Sequence, residues 1–341
     1  MKPEKQTRRL GLAVVIFALI LRLAADGPLA EAVAAVSSPE WISFALFLET
    51  GRLYRPVLPE EATVAETVEQ TLPPEQFLPP EQTMPPEENA VAVFSPEDAS
   101  LVQVNSVCGY IADVPALLEK PLDWDLTSTE PTVLILSAHA TESYENTEGY
   151  KASAAYRTLD TAYNMISVGQ YLAQLLEARG IRVIHDTTLH DYPSYTDAYN
   201  QSRATAKAWL EKYPSIRLVL DLHRDSVENK AGQQLRYAVG DTAQVMFVVG
   251  TNASGLNHPN WYENLALAVK FHARLEKQLP GICRPISFRT QRFNQDLSSG
   301  ALLIEVGAAG NTRQEALRAA EELADAIQAL SGGAVTERPT S

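Results

Sequence analysis

The sequence predicts an α/β domain in which a mostly parallel sheet is flanked by helices. Three apolar runs consist of the Val, Leu and Ile residues expected for strands buried on both faces of a parallel sheet. Long helical patterns separate the runs, which is typical of right-handed βαβ units. Each run ends in a His or Glu, within residues 133–142, 218–225 and 301–307. Ligands bind at the carboxyl ends of strands in such sheets, so we expect these ends to form one site.

The individual elements follow from apolar spacing and from Gly or Pro at the ends of segments. Strands are predicted at residues 132–138, 181–185, 217–222 and 302–306, and helices at residues 114–119, 163–178, 195–213, 262–279 and 312–330. Asn311 or Thr312 is expected to cap the last helix. Residues 235–239 and 245–249 form either a hairpin or two successive strands. The polar stretch 141–160 is interpreted as a loop over the site.

Composition limits the classes of function. The chain has 341 residues, of which 45% are hydrophobic, enough for a full core. Its net charge of −14 argues against nucleic-acid binding, which needs a basic surface. Ten acidic residues and no basic residue lie between Pro59 and Asp98, so much of the excess is in one segment. A repeated Pro-Pro-Glu unit there predicts an extended, semi-rigid spacer, which either gives the enzyme reach or is a simple tether.

The amino-terminal pattern predicts a single-pass protein of the cell membrane. Residues 1–9 form a basic cytoplasmic flank, and residues 10–30 a membrane anchor, with the remainder exported. A cleaved signal peptide is the competing interpretation. Residues 31–100 are expected to hold an apolar interfacial patch and the acidic spacer. Residues 101–331 are expected to form the α/β domain that carries the strand-end site, and residues 332–341 are expected to be a disordered tail.

Two imidazoles and two carboxylates at the strand ends match the composition of a catalytic zinc site. We expect His139, Glu142 and His223 to bind the metal, and zinc to lower the pKa of a bound water. Glu305 is then the base that takes the proton of this water and passes it to the leaving nitrogen. A site with one carboxylate and no thiolate suits zinc, and it could also take manganese or iron.

Glu305 is the most informative single residue. It lies between Ile304 and Val306, where a carboxylate is costly to bury unless it is paired or linked to a metal. The alternative is a salt bridge to Arg289 or Arg292.

Charged residues next to His223 are candidates for supporting roles. Asp221 precedes His223 by two residues and shares its strand face, so it can orient a metal ligand, and Asp225 is assigned a similar supporting role. Arg224 either binds a substrate carboxylate or holds Asp225. Cys108 and Cys283 are too few for a zinc cluster, and they form either one disulfide or two buried thiols.

Two other classes of function remain open. A serine hydrolase has Ser143 and Ser226 available, but the sequence has no Gly-x-Ser-x-Gly elbow. A non-catalytic module that binds peptidoglycan or a partner through a degenerate metal site is the other alternative. That module would keep its function after Glu305→Gln.

From about residue 105 to 330, the chain resembles stage II sporulation protein P, a zinc amidase family of endospore-forming bacteria. The matching stretches, in this order, are residues 137–144, 156–158, 164, 168–169, 221–226, 293–296 and 303–307. The resemblance implies the fold of zinc-dependent N-acetylmuramoyl-L-alanine amidases. It also implies cleavage of the bond between N-acetylmuramic acid and L-alanine, and endopeptidase activity on peptide cross-links, in septal peptidoglycan during engulfment.

The resemblance has further implications for partners and for substrate. Its implied partners are a lytic transglycosylase, stage II sporulation protein D, and a membrane protein that recruits both. Arg157, Asn294 and Gln295 lie in the matching stretches, where they either touch the glycan or only pack. The family usually reads His-Thr-His-Thr-Ser-Glu-Ser-Tyr, whereas Ser137 and Ala140 stand here in place of the first His and a Thr. The predicted metal ligands are retained, but any role of the missing His is not.

Overall fold

The computed structural model describes residues 94–122 and 124–332, and nine strands lie within them. The strands are β1 (Val104–Ser106), β2 (Val133–Leu136), β3 (Val183–His185), β4 (Leu218–Asp225), β5 (Ala238–Val239), β6 (Thr242–Ala243), β7 (Val245–Val249), β8 (Ile286–Phe288) and β9 (Ala301–Ala308). Seven of them form one sheet in the order β1-β8-β7-β9-β4-β2-β3. The α-helices are α1 (Val114–Glu119), α2 (Met165–Ala178), α3 (Ala198–Lys212), α4 (Trp261–Gln278) and α5 (Arg313–Ala329).

Neighbouring strands of the main sheet run parallel in every pair except one. The exception is β7, which runs antiparallel to β9. The predicted class, a mostly parallel sheet flanked by helices, is therefore confirmed. The structure also resolves the two alternatives for residues 235–249, because β5 and β6 pair as a small antiparallel hairpin and β7 joins the main sheet.

Two strands are longer than predicted. The sequence places the ends of these strands next to His223 and Glu305, but β4 continues to Asp225 and β9 to Ala308. The ladder between them continues past both residues, with a register shift after His223. His223 and Glu305 therefore project from a strand face and not from a loop. The short strands β1 and β8 were not predicted, because three residues are too few to show a period.

Helices cover both faces of the sheet. Alternate residues of a strand point to opposite faces, so Ile135 and Leu220 join one apolar cluster while Leu134 and Val219 join another. The larger cluster contains buried side chains of α1, α2, α4 and α5. The smaller one contains Ala206 of α3. The result is a three-layer α/β domain in which one long helix packs on the second face.

The start of α5 shows how local sequence sets an element. The hydroxyl of Thr312 accepts a hydrogen bond from the Glu315 backbone N–H, and the Glu315 carboxylate accepts one from the Thr312 N–H at 3.0 Å. This reciprocal capping box satisfies two donors that the first helical turn leaves free. Of the two predicted caps, Thr312 is the one that the structure uses.

Several predicted segments lie outside the described residues. These are the basic flank, the anchor at residues 10–30, the spacer up to residue 93, and residues 333–341. Within the described part of the chain, every helix is too short or too polar to cross a membrane.

Candidate metal centre and active site

The site is built on the sheet face that carries α3. Asp221 and His223 lie two and four residues after Val219, so the strand period places all three on this face. Glu305 of β9 lies directly opposite His223 in the parallel register. Paired positions of adjacent strands are about 4.8 Å apart, so the carboxylate and the imidazole are neighbours.

A tight turn after β2 adds the other two predicted metal ligands. The Glu142 N–H donates to the His139 carbonyl at 3.1 Å, which folds the chain back on itself. The rings of His139 and His223 are then 5.3 Å apart and nearly perpendicular. Glu142 Oε2 lies 3.5 Å from His223 Nδ1. The structure thus brings His139, Glu142 and His223 together beside Glu305, as the sequence predicts, while their roles remain predictions.

Asp221 contacts both sides of this arrangement. Its Oδ1 accepts a hydrogen bond from the Ala138 backbone N–H at 2.7 Å, which ties β4 to the turn that carries His139. The same oxygen lies 2.9 Å from His223 Nε2, although not along a hydrogen-bond direction. Burial opposes protonation of His223, yet the Asp221 and Glu142 carboxylates raise its pKa well above the usual value. Asp221 is thus placed to hold the imidazole in position.

Glu142 is buried and surrounded by positive groups. Its carboxylate accepts a hydrogen bond from the Arg224 backbone N–H at 3.2 Å and one from Arg157 Nη2 at 3.4 Å. Burial alone would raise the pKa of Glu142, but the hydrogen bond with His223 and the charge of Arg224 outweigh it and lower the pKa to about 2. Glu142 is therefore ionised, as a metal ligand must be.

Glu305 has the opposite electrostatic setting. Its Oε2 is buried and has no hydrogen-bond partner among the described residues. Burial raises the pKa of Glu305 to about 8, and the nearby Glu142 charge adds to this although His223 opposes it. Arg289 donates instead to Ser287 and Arg292 pairs with Asp296, so the alternative salt bridge to Glu305 is not formed.

The residue types of the donor set are those that bind zinc, although the ligand atoms of His139, Glu142 and His223 do not all lie within 4.8 Å of one another. Two buried side-chain atoms of this site, His139 Nδ1 and Glu305 Oε2, lack hydrogen-bond partners among the described residues, while His223 Nε2 lies 2.9 Å from Asp221 Oδ1 without a well-directed hydrogen bond. Unpaired buried polar atoms are rare in folded proteins and commonly indicate an ion or water. Two imidazoles and one carboxylate are the ligand types of known catalytic zinc sites, with the second carboxylate left over.

The side chain of Arg224 makes its hydrogen bonds with other groups of the protein. It is only 4% exposed, and its guanidinium donates to the backbone carbonyls of Ser143 and Tyr156 at 2.9 and 2.6 Å. These bonds hold the loop that carries Glu142 against β4. Asp225, the partner that the sequence offered for Arg224, pairs instead with Arg284 at 2.8 Å. The geometry therefore favours a structural role for Arg224 over substrate binding and over a salt bridge to Asp225.

Asn294 and Gln295 are also engaged with protein groups. Gln295 is 2% exposed, accepts from the Gly250 N–H and donates to the Val248 carbonyl, both at 2.7 Å. Asn294 donates to the Tyr199 carbonyl at 2.8 Å and accepts from Arg203. Of the two possibilities left open by the sequence, packing is the one that these contacts support.

Some residues of the site were not predicted. Asp191 is buried 3.9 Å from His139 Nδ1, and it also accepts hydrogen bonds from Thr141 and from Arg157. Tyr195 stacks on the His139 ring at 4.5 Å, and Tyr199 meets its edge. The only signal in the sequence is the concentration of Asp and Tyr between β3 and α3, which has no spacing typical of a motif.

A cavity of about 390 Å³ opens next to the predicted metal ligands. Its lining combines aromatic, apolar and charged side chains and consists of Thr141, Arg157, Thr158, Leu159, Asp191, Tyr192 and Tyr195. The guanidinium of Arg157 lies 4.2 Å above the Tyr195 ring. Arg157, one of the four predicted substrate contacts, thus faces this cavity.

Several solved N-acetylmuramoyl-L-alanine amidases are similar in structure to this chain. AmiC2 of Nostoc punctiforme is 15% identical with a TM-score of 0.36, and the alignment covers 57% of this chain and 94% of that chain. An amidase from Clostridium difficile 630 is 16% identical with a TM-score of 0.35, covering 59% and 96%. The CwlD amidase of Clostridioides difficile, solved with the GerS lipoprotein, is 14% identical with a TM-score of 0.35, covering 58% and 94%. Similarity at this level does not establish a shared activity.

Sequence comparisons identify the family. Stage II sporulation protein P of Bacillus subtilis (strain 168) is 28% identical over 215 residues, which are 60% of this chain and 52% of that protein. The chain thus spans about half the length of this curated relative. The model of the family described as Stage II sporulation protein P (SpoIIP) matches residues 55–328, well over half of the chain. The chain therefore belongs to the stage II sporulation protein P family.

Proposed function

We propose that this protein is a zinc-dependent peptidoglycan hydrolase that cleaves the amide bond between N-acetylmuramic acid and L-alanine. The observation that carries the proposal is the proximity of His139, Glu142 and His223 to Glu305, whose buried Oε2 has no partner among the described residues. Three ligands and one free carboxylate are the minimum set for metal-assisted amide hydrolysis. Membership of the sporulation family supports peptidoglycan as the substrate.

His139, Glu142 and His223 are the residues that would hold the zinc ion. When bound, zinc polarises the scissile carbonyl and lowers the pKa of water. Glu305 accepts a proton at Oε2, the atom that the structure leaves unpaired, and later donates it to the leaving nitrogen. Because the pKa of Glu305 is set by burial, a nearby cation shifts it towards the ionised form that a base requires.

Neighbouring side chains of the chain hold this arrangement in place. Asp221 fixes one side of the His223 ring, and Tyr195 covers the face of the His139 ring. Asp191 and Arg157 form an ion pair of 2.7 Å at the edge of the site. These contacts restrict the rotation of both imidazoles, and such pre-organisation is what metal affinity and catalysis need.

The cavity beside His139 is the proposed binding place for the glycan or the stem peptide. Arg157 offers donors to a carboxylate or a sugar hydroxyl, and Tyr192 and Tyr195 offer apolar faces. Tyr192 and Tyr195 are both more than half exposed, so a ligand can reach them. We therefore expect the substrate to bind on the side of the site that Tyr192 and Tyr195 line.

The biological setting is also part of the proposal. Family membership supports a role in remodelling septal peptidoglycan during engulfment, at a membrane, with stage II sporulation protein D and a recruiting membrane protein as partners. Endopeptidase activity on peptide cross-links is proposed as a second activity of the same centre.

Digestion of purified peptidoglycan sacculi, followed by mass analysis of the products, tests the activity. Free stem peptides are expected from the zinc-loaded protein, and uncrosslinked muropeptides with stems attached would indicate the endopeptidase activity. Glu305→Gln should lower turnover by 10²-fold or more, in the range of a lost acid–base catalyst. Glu148→Gln, at an exposed acidic residue of the loop that carries Glu142, is the control for the same change of residue type and should keep its activity.

Intact sacculi after digestion would contradict the proposal. If the sacculi stay intact but retain the protein, and Glu305→Gln binds equally well, the domain is a binding module with a degenerate site. Metal analysis provides an independent check, because active protein without stoichiometric metal would exclude a metal-dependent mechanism.

A further inference from the structure

A second cluster of metal-ligand residues lies at the end of α4, on elements that do not form the proposed active site. His272 and Glu276 are one turn apart on this helix, and Cys283 follows in the connection to β8. One potential ligand atom from each residue lies within 4.8 Å of the other two. Cys108 and Cys283 are both free thiols, so Cys283 is available to bind a metal ion.

The buried ring of His272 has one nitrogen without a hydrogen-bond partner among the described residues. This nitrogen is Nδ1, and the residue is 1% exposed. The ring also makes a hydrogen bond with the Leu101 backbone, and this bond must involve the other nitrogen, Nε2. A proton held on Nε2 leaves the lone pair on Nδ1, which is the arrangement found in metal-binding histidines.

Glu276 and Cys283 are held near this nitrogen by backbone contacts. The Glu276 carboxylate accepts hydrogen bonds from the N–H groups of Gly281 and Cys283 at 2.8 and 2.7 Å, which fold the connection back onto the helix. Cys283 also forms a bridge with Val245, the first residue of β7. Its Sγ lies 3.8 Å from the His272 carbonyl. The thiol is thus fixed on the side of His272.

We propose that His272, Glu276 and Cys283 form a second binding site for a divalent ion of the zinc type. An imidazole, a carboxylate and a thiolate are all common zinc ligands, and the two anionic ligands balance the charge of the ion. Zn–N and Zn–S bonds of about 2.0 to 2.3 Å require ligand atoms roughly 3.3 to 3.8 Å apart, so the ligand atoms need to approach by at most about 1 to 1.5 Å. Glu276 and Cys283 are half-buried, which leaves a path from solvent for the ion and for a fourth ligand.

Binding at this site would change the charge state of the thiol and the stability of the domain. Burial raises the pKa of Cys283 well above its usual value, so the thiol is protonated without metal and releases one proton when the ion binds. The ion would join the last turn of α4 to the segment that leads into β8. This would stabilise the folded state by mass action.

Cobalt(II) titration of the full chain, purified metal-free and reduced, tests this site separately from the active site. Only a thiolate ligand gives a sulfur-to-cobalt charge-transfer band in the near ultraviolet, and the proposed active site has no thiolate. The band is expected in the wild type and in His223→Ala, and it should be lost in Cys283→Ser. Cys108→Ser, at the other free thiol, is the matched control and should keep the band.

Zinc content and thermal unfolding give a second readout. Two zinc ions per chain are expected in the wild type, and one in His223→Ala or in Cys283→Ser. Added zinc should raise the Tm of His223→Ala but not of the double variant His223→Ala/Cys283→Ser. A band that persists in Cys283→Ser, or a His223→Ala variant that binds no zinc, would overturn the proposal. If instead the active-site proposal fails, the band and its dependence on Cys283 remain.

Discussion

At the scale of single residues, the site combines carboxylates with opposite electrostatics. Glu142 has positive groups on several sides and a pKa of about 2, whereas Glu305 has a buried Oε2 with no partner among the described residues and a pKa of about 8. Pairs of acids whose environments separate their pKa values are typical of sites that move protons. The low pKa suits a permanent ligand, and the high pKa suits a group that gains and loses a proton near neutral pH.

The raised pKa of Glu305 predicts a pH-dependent stability of the metal-free protein. Between the ordinary carboxyl value of 4.5 and about 8, the folded state holds a proton that the unfolded state has released. Folding stability therefore falls as pH rises through this window, and the loss is complete above about pH 8. Glu305→Gln removes this loss. We expect the variant to be more stable than the wild type at pH 8.5, by on the order of 1 to 4 kcal/mol, and equal to it near pH 4.

Urea unfolding in the presence of a chelator, at several pH values, measures this difference. Glu148→Gln is the control for the loss of one negative charge, since Glu148 is exposed. Parallel stability curves for the wild type and Glu305→Gln would show that burial of Glu305 is not linked to pH in this way.

A second prediction at this scale concerns Arg224. Its guanidinium donates to two backbone carbonyls at once, and lysine cannot reproduce this planar fork. We expect Arg224→Lys to lower the free energy of unfolding by on the order of 3 kcal/mol, because buried acceptors and Glu142 lose their partner. Arg217→Lys, at an exposed arginine at the start of β4, should change it little.

Denaturant unfolding and steady-state kinetics together decide the role of Arg224. If Arg224 is structural, Arg224→Lys lowers the free energy of unfolding and changes KM only modestly. If Arg224→Lys keeps its stability but raises KM severalfold, Arg224 binds substrate, which is the other possibility left open by the sequence.

At the scale of elements, β9 depends on a glycine two residues after Glu305. Gly307 has a φ of +67°, a conformation that strains other residues. A Cβ atom there would also lie 2.8 Å from Asn311 Oδ1, which accepts hydrogen bonds from Ala308 and Tyr237. Gly307 therefore allows the end of β9 to turn towards the cap of α5.

Substitution of Gly307 should destabilise the domain by more than the backbone strain accounts for, because the added Cβ also meets Asn311. We expect Gly307→Ala to lower the free energy of unfolding by about 3 kcal/mol, of which 1 to 2 kcal/mol is backbone strain. Gly232→Ala is the matched control, since its φ is +76° and nothing lies within 4 Å of an added Cβ. Equal losses in the two variants, measured by thermal unfolding, would show that the contact with Asn311 does not matter.

Strands and irregular connections differ in how well the sequence predicts them. Apolar runs locate β2, β4 and β9, because strands buried on both faces have few polar residues. The spacing of Asp221 and His223 predicts that they share a face, since the strand period is two. The approach of Asp191 and Tyr195 to His139 was not predictable, because it depends on the path of an irregular connection between β3 and α3. The same limit applies to the contact between His272 and Cys283, eleven residues apart.

At the scale of the whole molecule, the fold places one chemical centre where several elements meet. The predicted ligands come from the turn after β2 and from β4, the predicted base comes from β9, and Tyr195, just before α3, stacks on His139. A parallel register between β4 and β9 is enough to place His223 beside Glu305, so the sheet order itself is the main determinant of the site. Sequence could suggest that these strands are neighbours, but it could not predict that β7 is antiparallel.

The amino-terminal limit of the folded domain is the last prediction. The sequence places the domain start at residue 101, yet the preceding segment makes specific contacts. Asp98 is 5% exposed, and its carboxylate accepts hydrogen bonds from Lys277 Nζ at 2.6 Å and from the Ser95 N–H at 2.8 Å. Lys270, which is 3% exposed, lies 5.1 Å from the centre of the Phe94 ring. These contacts cover one side of α4.

A chain that starts at residue 94 should therefore be more stable than one that starts at residue 102. We expect a difference of about 2 kcal/mol, because the shorter chain exposes buried parts of α4 and removes a cation–π contact and a buried acceptor. Asp98→Asn in the longer chain isolates the ionic part and should account for less than half of the loss, since Lys277 is partly exposed to water. Equal denaturation midpoints for the two chains would mean that residues 94–101 pack on α4 but do not contribute to the free energy of unfolding.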